Sequence, residues 1–448
     1  MNSKLADFFG TENYKFVLSL WLLLAINMMV MELSDVVATA GFVSELGSDN
    51  LPWLWLIMTL LTLFVAGGYS VLVDRYSRLN LITGLLLGLA FLYLGLMYLL
   101  RTGFSEQIVY TFLSIISDQQ YYILPLAFWA LANDIFSLTE GKKVFSFIAS
   151  GAVIGGLIGN SLAGFSAAML NRWSAGPDLI FLLAAILLLF ALVVIRVVFF
   201  RHTLKARQSR TRDTNLRESL SVGLDYFRNV EMLQMVAVIM VLSGVVLALV
   251  EFYFLRTIEL STSGDSLQFQ SFLGYFKTGQ TIGLLIFQWL ITRHLMEKIS
   301  LRNSFLFLPI FLICAVGISL ALAGIMGVAI GRFIARTIQR GWDEPARKSL
   351  QGLIPDERRG RIALFMDTVF YNFATIFACL VIAMLLWLTR ENVISSALYN
   401  IISLGIALTA ALIATIAGIN FRLVYEKSLL NWRLARSKRK SILDGLEF

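Results

Sequence analysis

The chain is poor in the residues on which most soluble chemistry depends. Of its 448 residues only 15% are charged, against about 25% in a soluble globular domain, which excludes a water-soluble globule. It has two cysteines; Cys314 and Cys379 both fall inside apolar runs, giving neither a disulfide framework nor a metal-ligand spacing. The two histidines, His202 and His294, sit in separate basic loops, so they supply no metal site and no catalytic dyad. The sequence shows no Ser-His-Asp or Cys-His set, no phosphate-cradling loop with a lysine and no metal cluster. It is therefore read as a protein that is not an enzyme and that takes no cofactor and no metal.

What the sequence has in abundance is apolar. Hydrophobic residues make up 58% and aromatics 13%, with a mean hydropathy of +0.77, and this also excludes disorder. A helix crossing the hydrocarbon needs about 20 mostly apolar residues, and twelve runs of that kind can be marked. Six lie at 16–43, 52–73, 79–100, 106–136, 144–170 and 178–200. Six more lie at 232–256, 268–292, 303–323, 325–343, 361–388 and 393–420. The predicted fold is an all-α polytopic membrane protein with twelve transmembrane helices in two pseudo-symmetric six-helix bundles. The first bundle is 1–200, a basic cytoplasmic linker spans 201–231, the second bundle is 232–420, and a basic cytoplasmic tail covers 421–448.

The net charge of +8 and isoelectric point near 9.4 are explained by where the bases fall. Most of the 37 lysines and arginines lie at the amino terminus, in the even-numbered connections and in the tail. The opposite side keeps Arg101, Arg172, Arg256 and Arg390, and Lys277 lies within a run. That is positive-inside topology with both termini cytoplasmic, in a bacterial cytoplasmic (inner) membrane. It removes the case for nucleic acid as a partner; the tail bases Arg433, Arg436, Lys438, Arg439 and Lys440 suit anionic membrane lipids instead. Ala38-Thr39-Ala40 matches a signal-peptide cleavage pattern, but the run before it is too long and carries Glu32 and Asp35, so the first span is expected to be retained.

An internal repeat supports the six-plus-six division. Asp74-Arg75-Tyr76-Ser77-Arg78 after the second run is echoed by Glu297-Lys298-Ile299-Ser300-Leu301-Arg302 after the eighth. Trp129 and Asp134 with Glu140-Gly141-Lys142-Lys143 are echoed by Trp342 and Asp343 with Glu357-Arg358-Arg359-Gly360. Parallel repeats of this kind build the major facilitator superfamily. The stretch Ser70 to Arg78 resembles that superfamily's loop motif between spans two and three, with Ser70 in place of a glycine. The resemblance implies a cytoplasmic gate containing Asp74, Arg75 and Arg78, with Glu297, Lys298 and Asp367 as its second-half members. Gly151-x-x-x-Gly155-Gly156-x-x-Gly159-Asn160 has two readings: a small-residue face for close helix packing, or the superfamily's antiporter motif with Gly156 and Asn160 as departures.

A narrower resemblance covers most of the chain. Leu51-Pro52-Trp53, Tyr69-Ser70, the run Phe128 to Phe136, Glu140-Gly141-Lys142-Lys143 and Arg361 through Asp367 look like the ATP/ADP translocase family of bacteria and plastids and its bacterial relatives. The resemblance implies a nucleotide carrier or a relative working by alternating access. In the first span those carriers place basic residues before an aspartate. This chain reads Met31-Glu32-Leu33-Ser34-Asp35, so only Asp35 matches.

Charges inside the apolar runs are the candidate site, because each costs roughly 3 kcal/mol near the bilayer centre. Glu32 and Asp35 share a face of the first span, with Asn27 nearby. Asp118, Gln119, Gln120, Tyr121 and Tyr122 lie mid-span just before Pro125. In the second half Arg332, Arg336 and Arg340 form a stripe on span ten, Lys277 and Gln280 lie in span eight, Glu251 in span seven, and Asp367 and Asn372 in span eleven. Glu251 is close enough in depth to be a partner for Lys277. The superfamily resemblance would instead set Glu32, Asp35, Asp118 and Glu251 opposite Arg332 and Arg336.

Two mechanisms follow. Either the arginines bind an anionic, nucleotide-like or phosphorylated small molecule, with Glu32 and Asp118 as the proton-carrying or gating acids, or the arginines and acids pair with one another and Tyr121, Tyr122, Gln119 and Gln120 recognise the substrate. The leading function is a secondary active transporter, by exchange or proton coupling. A lipid or lipid-linked-solute flippase of the same fold and a transport-inactive scaffold or sensor are the alternatives.

Overall fold

A computed structural model describes residues 14–136, 138–173, 176–199, 228, 230–322, 324–353, 362 and 365–443. All regular structure among them is helical. In chain order the main helices are α1 (Tyr14–Leu46), α2 (Leu51–Arg75), α3 (Arg78–Arg101), α4 (Glu106–Ile135), α5 (Leu138–Trp173), α6 (Asp178–Phe199), α7 (Glu231–Ser261), α8 (Ser266–Phe287), α9 (Phe307–Ala321), α10 (Ile325–Ile338), α11 (Phe370–Arg390) and α12 (Ser396–Leu443).

Among the described residues, nine of these are both long enough and apolar enough to cross a membrane. The remaining three of the twelve expected spans are formed as helices: α4 and α8 carry polar and charged residues that dilute their hydropathy, and α10 is cut to 14 residues by the π-helical turn Gln339–Asp343. Those three hold Asp118, Lys277 and the first two arginines of the stripe, Arg332 and Arg336. The chain is a multi-pass membrane protein, and the strongly apolar α1 and α7 also carry candidate site residues, Glu32, Asp35 and Glu251.

The chain divides into two compact units. One holds the described residues up to 199 together with Ile258–Ile282; the other holds the described residues from 228 to Thr257 together with those from Gly283 onward. The last turn of α7, from Ile258, and most of α8, as far as Ile282, thus belong to the first unit, although the sequence groups them with the second. Of the linker expected at 201–231, all but Arg228, Val230 and Glu231 lies outside the described residues. The segment read as a tail begins as an unbroken continuation of α12, which runs to Leu443; the side chains of Arg433, Arg436, Lys438, Arg439 and Lys440 lie outside the described residues.

In the first unit α1 is the central element, buried along its length from Val17 to Val43. The glycine face of α5 makes this possible. A Cβ on Gly151 would meet the Trp21 carbonyl oxygen at 2.5 Å, and one on Gly155 or Gly159 would overlap the carbonyl oxygens of Ala25 or Met29. The glycine stripe is thereby accounted for as a helix-packing surface. At the turn after α1, Glu259 of α7 accepts hydrogen bonds from the Ser48 backbone N–H, at 3.2 Å to Oε2, and from its hydroxyl. This carboxylate satisfies a donor that the start of the following helix leaves free.

In the second unit Met232, Leu233, Val236, Phe305, Leu350, Ile362, Met366 and Phe421 form one apolar core. Trp342 is fully buried, stacks on Phe307 at 4.5 Å and donates to the Ser304 carbonyl at 3.1 Å. Gly324, with φ +84°, makes the turn into α10 that a residue with a Cβ would resist. On α10, Gly327 and Gly331 press against the backbone of Leu322 and Ala315, which seats the helix tightly beside α9.

Candidate functional site

Each unit contains a charged cluster inside its helices. In the first, α8 crosses α5 where two glycines meet, since a Cβ on Gly274 would overlap Gly164. Gln270 of α8 donates to the Ala163 carbonyl at 2.8 Å and to the Ser166 hydroxyl at 3.1 Å, and Thr278 lies 3.3 Å from Ser161. With α8 held at this register, Lys277 projects to α1. There its Nζ donates to Glu32 at 3.0 Å and to Asp35 at 2.6 Å. Two carboxylates three residues apart on one helix face share one ammonium, leaving the cluster one negative charge in excess.

A second polar group lies on α4. Gln119 donates to Asp118 Oδ2 at 2.9 Å and to the Thr62 hydroxyl at 3.1 Å, and among the described residues Asp118 has no cationic partner. Gln120 accepts from the Tyr93 hydroxyl at 2.9 Å and donates to Asn27 Oδ1 at 2.9 Å, forming a buried chain across α3, α4 and α1. α4 continues through Pro125. Tyr121 is exposed and packs edge-on against Tyr122 at 5.1 Å, away from these hydrogen bonds.

In the second unit the cluster has the opposite excess. Arg332 donates from Nε and Nη2 to Glu251 Oε2 and Oε1 at 2.9 and 2.8 Å, a bidentate pair. Arg336, one turn on, reaches the same Oε2 from Nε and Nη2 at 3.3 and 3.2 Å and donates from Nη1 to Gln339 at 3.0 Å. Phe254 lies against Arg332, with the guanidinium carbon 4.5 Å from the ring centroid. Arg332 is 4% exposed, whereas the Arg336 side chain is 28% exposed. Arg340 lies exposed a further turn along.

At the end of α10 a π-helical turn, Gln339–Asp343, leads into the helix Glu344–Leu353. Asp343 accepts from Arg347 at 2.8 Å and from the Tyr371 hydroxyl at 3.2 Å; Arg347 also donates to the Met366 carbonyl at 3.2 Å. Asp367 accepts from Lys348 at 2.5 Å and from Gln351 at 3.0 Å. Burial, the largest influence on Arg347, works against its charge, but Tyr371 and Asp343 outweigh it and the guanidinium's pKa is raised. In the first unit Arg78 faces Asp134 at 3.6 Å.

The sequence-based candidates thus fall into separate groups. Glu32, Asp35 and Lys277 come together, Glu251 joins Arg332 and Arg336, and Asp118 and Gln119 form a third set with Thr62. Within its own unit Lys277 is engaged by the two acids of α1, and within the other Glu251 is engaged by the arginines of α10. Gln280 lies almost one turn past Lys277 on the same helix and is partly buried. Lys298 is exposed, while the side chains of Asp74, Arg75 and Glu297 lie outside the described residues. Sequence reasoning missed Arg347 and Tyr371; the four-residue spacing of Asp343 and Arg347 was the available signal.

Comparison with known proteins gives the setting for these clusters. The family model described as TLC ATP/ADP transporter matches residues 86–337. No curated protein matches the chain. Among solved structures, a bacterial homologue of the iron transporter ferroportin in an inward-facing state superposes with a TM-score of 0.63 at 16% identity, covering 92% of this chain and 98% of that one. The nucleoside transporter NupG gives 0.65 at 11% identity, over 91% and 98%. A peptide transporter POT in complex with sulfate gives 0.61 at 14%, over 92% and 95%. The likeness establishes the major facilitator fold.

Proposed function

Since the chain belongs to the TLC ATP/ADP transporter family and is a transporter rather than an enzyme, we propose that it moves an anionic small molecule, nucleotide-like or phosphorylated, by alternating access. The observation that carries this reading is the sharing of one carboxylate, Glu251, between two guanidinium groups inside the helices. The cluster retains a positive charge, and its less buried member, Arg336, can be reached. Guanidinium presents paired N–H donors matched to phosphate and carboxylate oxygens, and Glu251 occupies them as a tethered anion. Holding two arginines at this depth is costly, which favours their use over a purely structural role. The cations that nucleotide carriers place before the aspartate of the first span are absent here, and α10 supplies cations in their stead.

In this account the chain sits in the bacterial cytoplasmic membrane with both termini inside, its halves 1–200 and 232–420 acting as the pseudo-symmetric bundles. Glu32, Asp35 and Lys277 respond to substrate as a coupling or gating set, and transport runs by exchange or with protons. Asp74, Arg75, Arg78, Glu297, Lys298 and Asp367 form the cytoplasmic gate; the approach of Arg78 to Asp134 and the hold of Lys348 and Gln351 on Asp367 support that role. Anionic lipids neutralise the basic tail.

The test is counterflow in proteoliposomes with labelled nucleotides, sugar phosphates, amino acids and lipids. Exchange confined to anions is expected. Uptake of a neutral or cationic solute in their place would overturn the reading, and flip-flop of a labelled lipid would favour a flippase.

A further inference from the structure

Two π-helical turns meet in the second unit. One, Gln339–Asp343, follows α10; the other, Gln288–Thr292, follows α8 and leads into a short helix, Arg293–Lys298. Each closes the wide ring of a π-turn, the Glu344 N–H donating to the Gln339 carbonyl and the Arg293 N–H to the Gln288 carbonyl. The sequence accounts for the first. Pro345 has no N–H for the Gly341 carbonyl one turn back, and its ring pushes the helix open there. Glu344 gives its N–H to Gln339 in place of Arg340.

The carbonyls that lose these α-helical donors are served from the other turn. Thr292 Oγ1 donates to the Gly341 oxygen at 2.6 Å, and Gln288 Nε2 to the Arg340 oxygen at 3.5 Å. Gly341 permits the approach, since a Cβ there would meet the Phe287 ring at 2.6 Å. The first and last residues of one turn thus complete the backbone of the other.

We propose that these turns are one paired hinge, at which α8 and α10 bend together as the protein changes conformation. This rests on the alternating-access reading above and gives it a joint. Helices kink at π-turns and at proline, and here both features fall within one turn of each other. A bend in α10 alone would strip two backbone carbonyls of their donors, a loss that buried backbone groups resist; a bend shared with α8 keeps both bonds. At one end the hinge begins at the anion site, because Gln339 accepts from Arg336 at 3.0 Å. From Trp342 onward the chain is held, by the stacking of Trp342 on Phe307 and by Arg347, which ties Asp343 to the Met366 carbonyl. Bending therefore falls on Gln339–Gly341 and on the turn of α8 bound to it.

Hydrogen–deuterium exchange of the full-length protein in lipid nanodiscs tests the pairing, read on peptides covering 288–293 and 339–344 in wild type, Pro345→Ala and Thr292→Val. Alanine at 345 restores an N–H to the α10 turn, and a carbonyl oxygen accepts two donors, so Thr292 keeps its bond. Exchange should slow by about fivefold in both peptides, the worth of one net hydrogen bond, although α8 carries no substitution. Thr292→Val removes the link and should speed exchange in both, a readout that stands even if Pro345→Ala fails to fold. A change confined to 339–344 in either variant overturns the proposal. Counterflow of labelled ADP reads the consequence for transport. Pro345→Ala, with a stiffened hinge and untouched arginines, should lower the maximal rate at least about fivefold while the half-saturating concentration stays within about twofold. A wild-type maximal rate in a variant whose hydrogen exchange has slowed also overturns it. If wild type exchanges no ADP, the anion reading falls, and hydrogen exchange still decides the hinge.

Discussion

Gly155 of α5 rests directly on Ala25 of α1, so closely that any Cβ at position 155 would overlap the Ala25 carbonyl oxygen. The obstacle is backbone, which cannot rotate away as a side-chain tip could. Gly155→Ala is therefore expected to destabilise the first unit by about 3 kcal/mol, the upper end of ordinary overpacking. Gly88→Ala on α3, where a Cβ meets open space, should leave the melting temperature within a degree or two of wild type, on the scale of about ±0.5 kcal/mol for harmless substitutions. Thermal unfolding of both variants in detergent checks the pair; equal melting temperatures would refute the packing account of the glycine face.

Lys277 is the shared partner of Glu32 and Asp35. Removing one member of a buried ion cluster leaves the others uncompensated, at roughly 3 kcal/mol. Lys277→Met should lower thermal stability by that order. The triple variant Lys277→Met, Glu32→Gln, Asp35→Asn should recover most of the loss, because no unpaired charge remains. A triple variant no more stable than Lys277→Met would show that the cluster's electrostatics are not what holds α8 to α1.

Arg347 bridges Asp343 and the Met366 carbonyl through its planar fork, a geometry that lysine cannot reproduce. Both Arg347→Ala and Arg347→Lys should therefore destabilise the second unit, alanine by roughly 3 kcal/mol and lysine by more than half as much. Asp343→Asn added to Arg347→Ala should cost less than it does alone, the signature of coupled neighbours. Additive losses in a thermal double-mutant cycle would contradict the bridge.

Much of the architecture was readable because hydrocarbon imposes a strong pattern. The apolar runs from α1 to α12 stand out, and the glycines of α5 announced a close crossing without saying that Trp21, Ala25 and Met29 receive it. The site was legible as a set of residues and not as a set of partners. Glu32 and Asp35 declare themselves by being charged in a span, but their capture of Lys277 depends on the register fixed by Gly164 against Gly274, a tertiary fact 110 positions apart in sequence. Equal depth in the membrane likewise does not specify which helix faces which, so the sequence left the partners of Glu251 and Lys277 open. Arg347 escaped notice because it lies between runs, where a base is ordinarily explained by topology alone.

The central claim is that the guanidinium of Arg336 receives an anionic substrate, and the most direct measurement is initial counterflow of labelled ADP in proteoliposomes containing wild type, Arg336→Lys or Arg336→Ala. Loss of charge-assisted hydrogen bonds of about 1.5–3 kcal/mol predicts that Arg336→Ala slows exchange roughly 10- to 100-fold at low substrate, with Arg336→Lys in between. Exchange by a correctly folded Arg336→Ala protein at the wild-type rate would contradict the account.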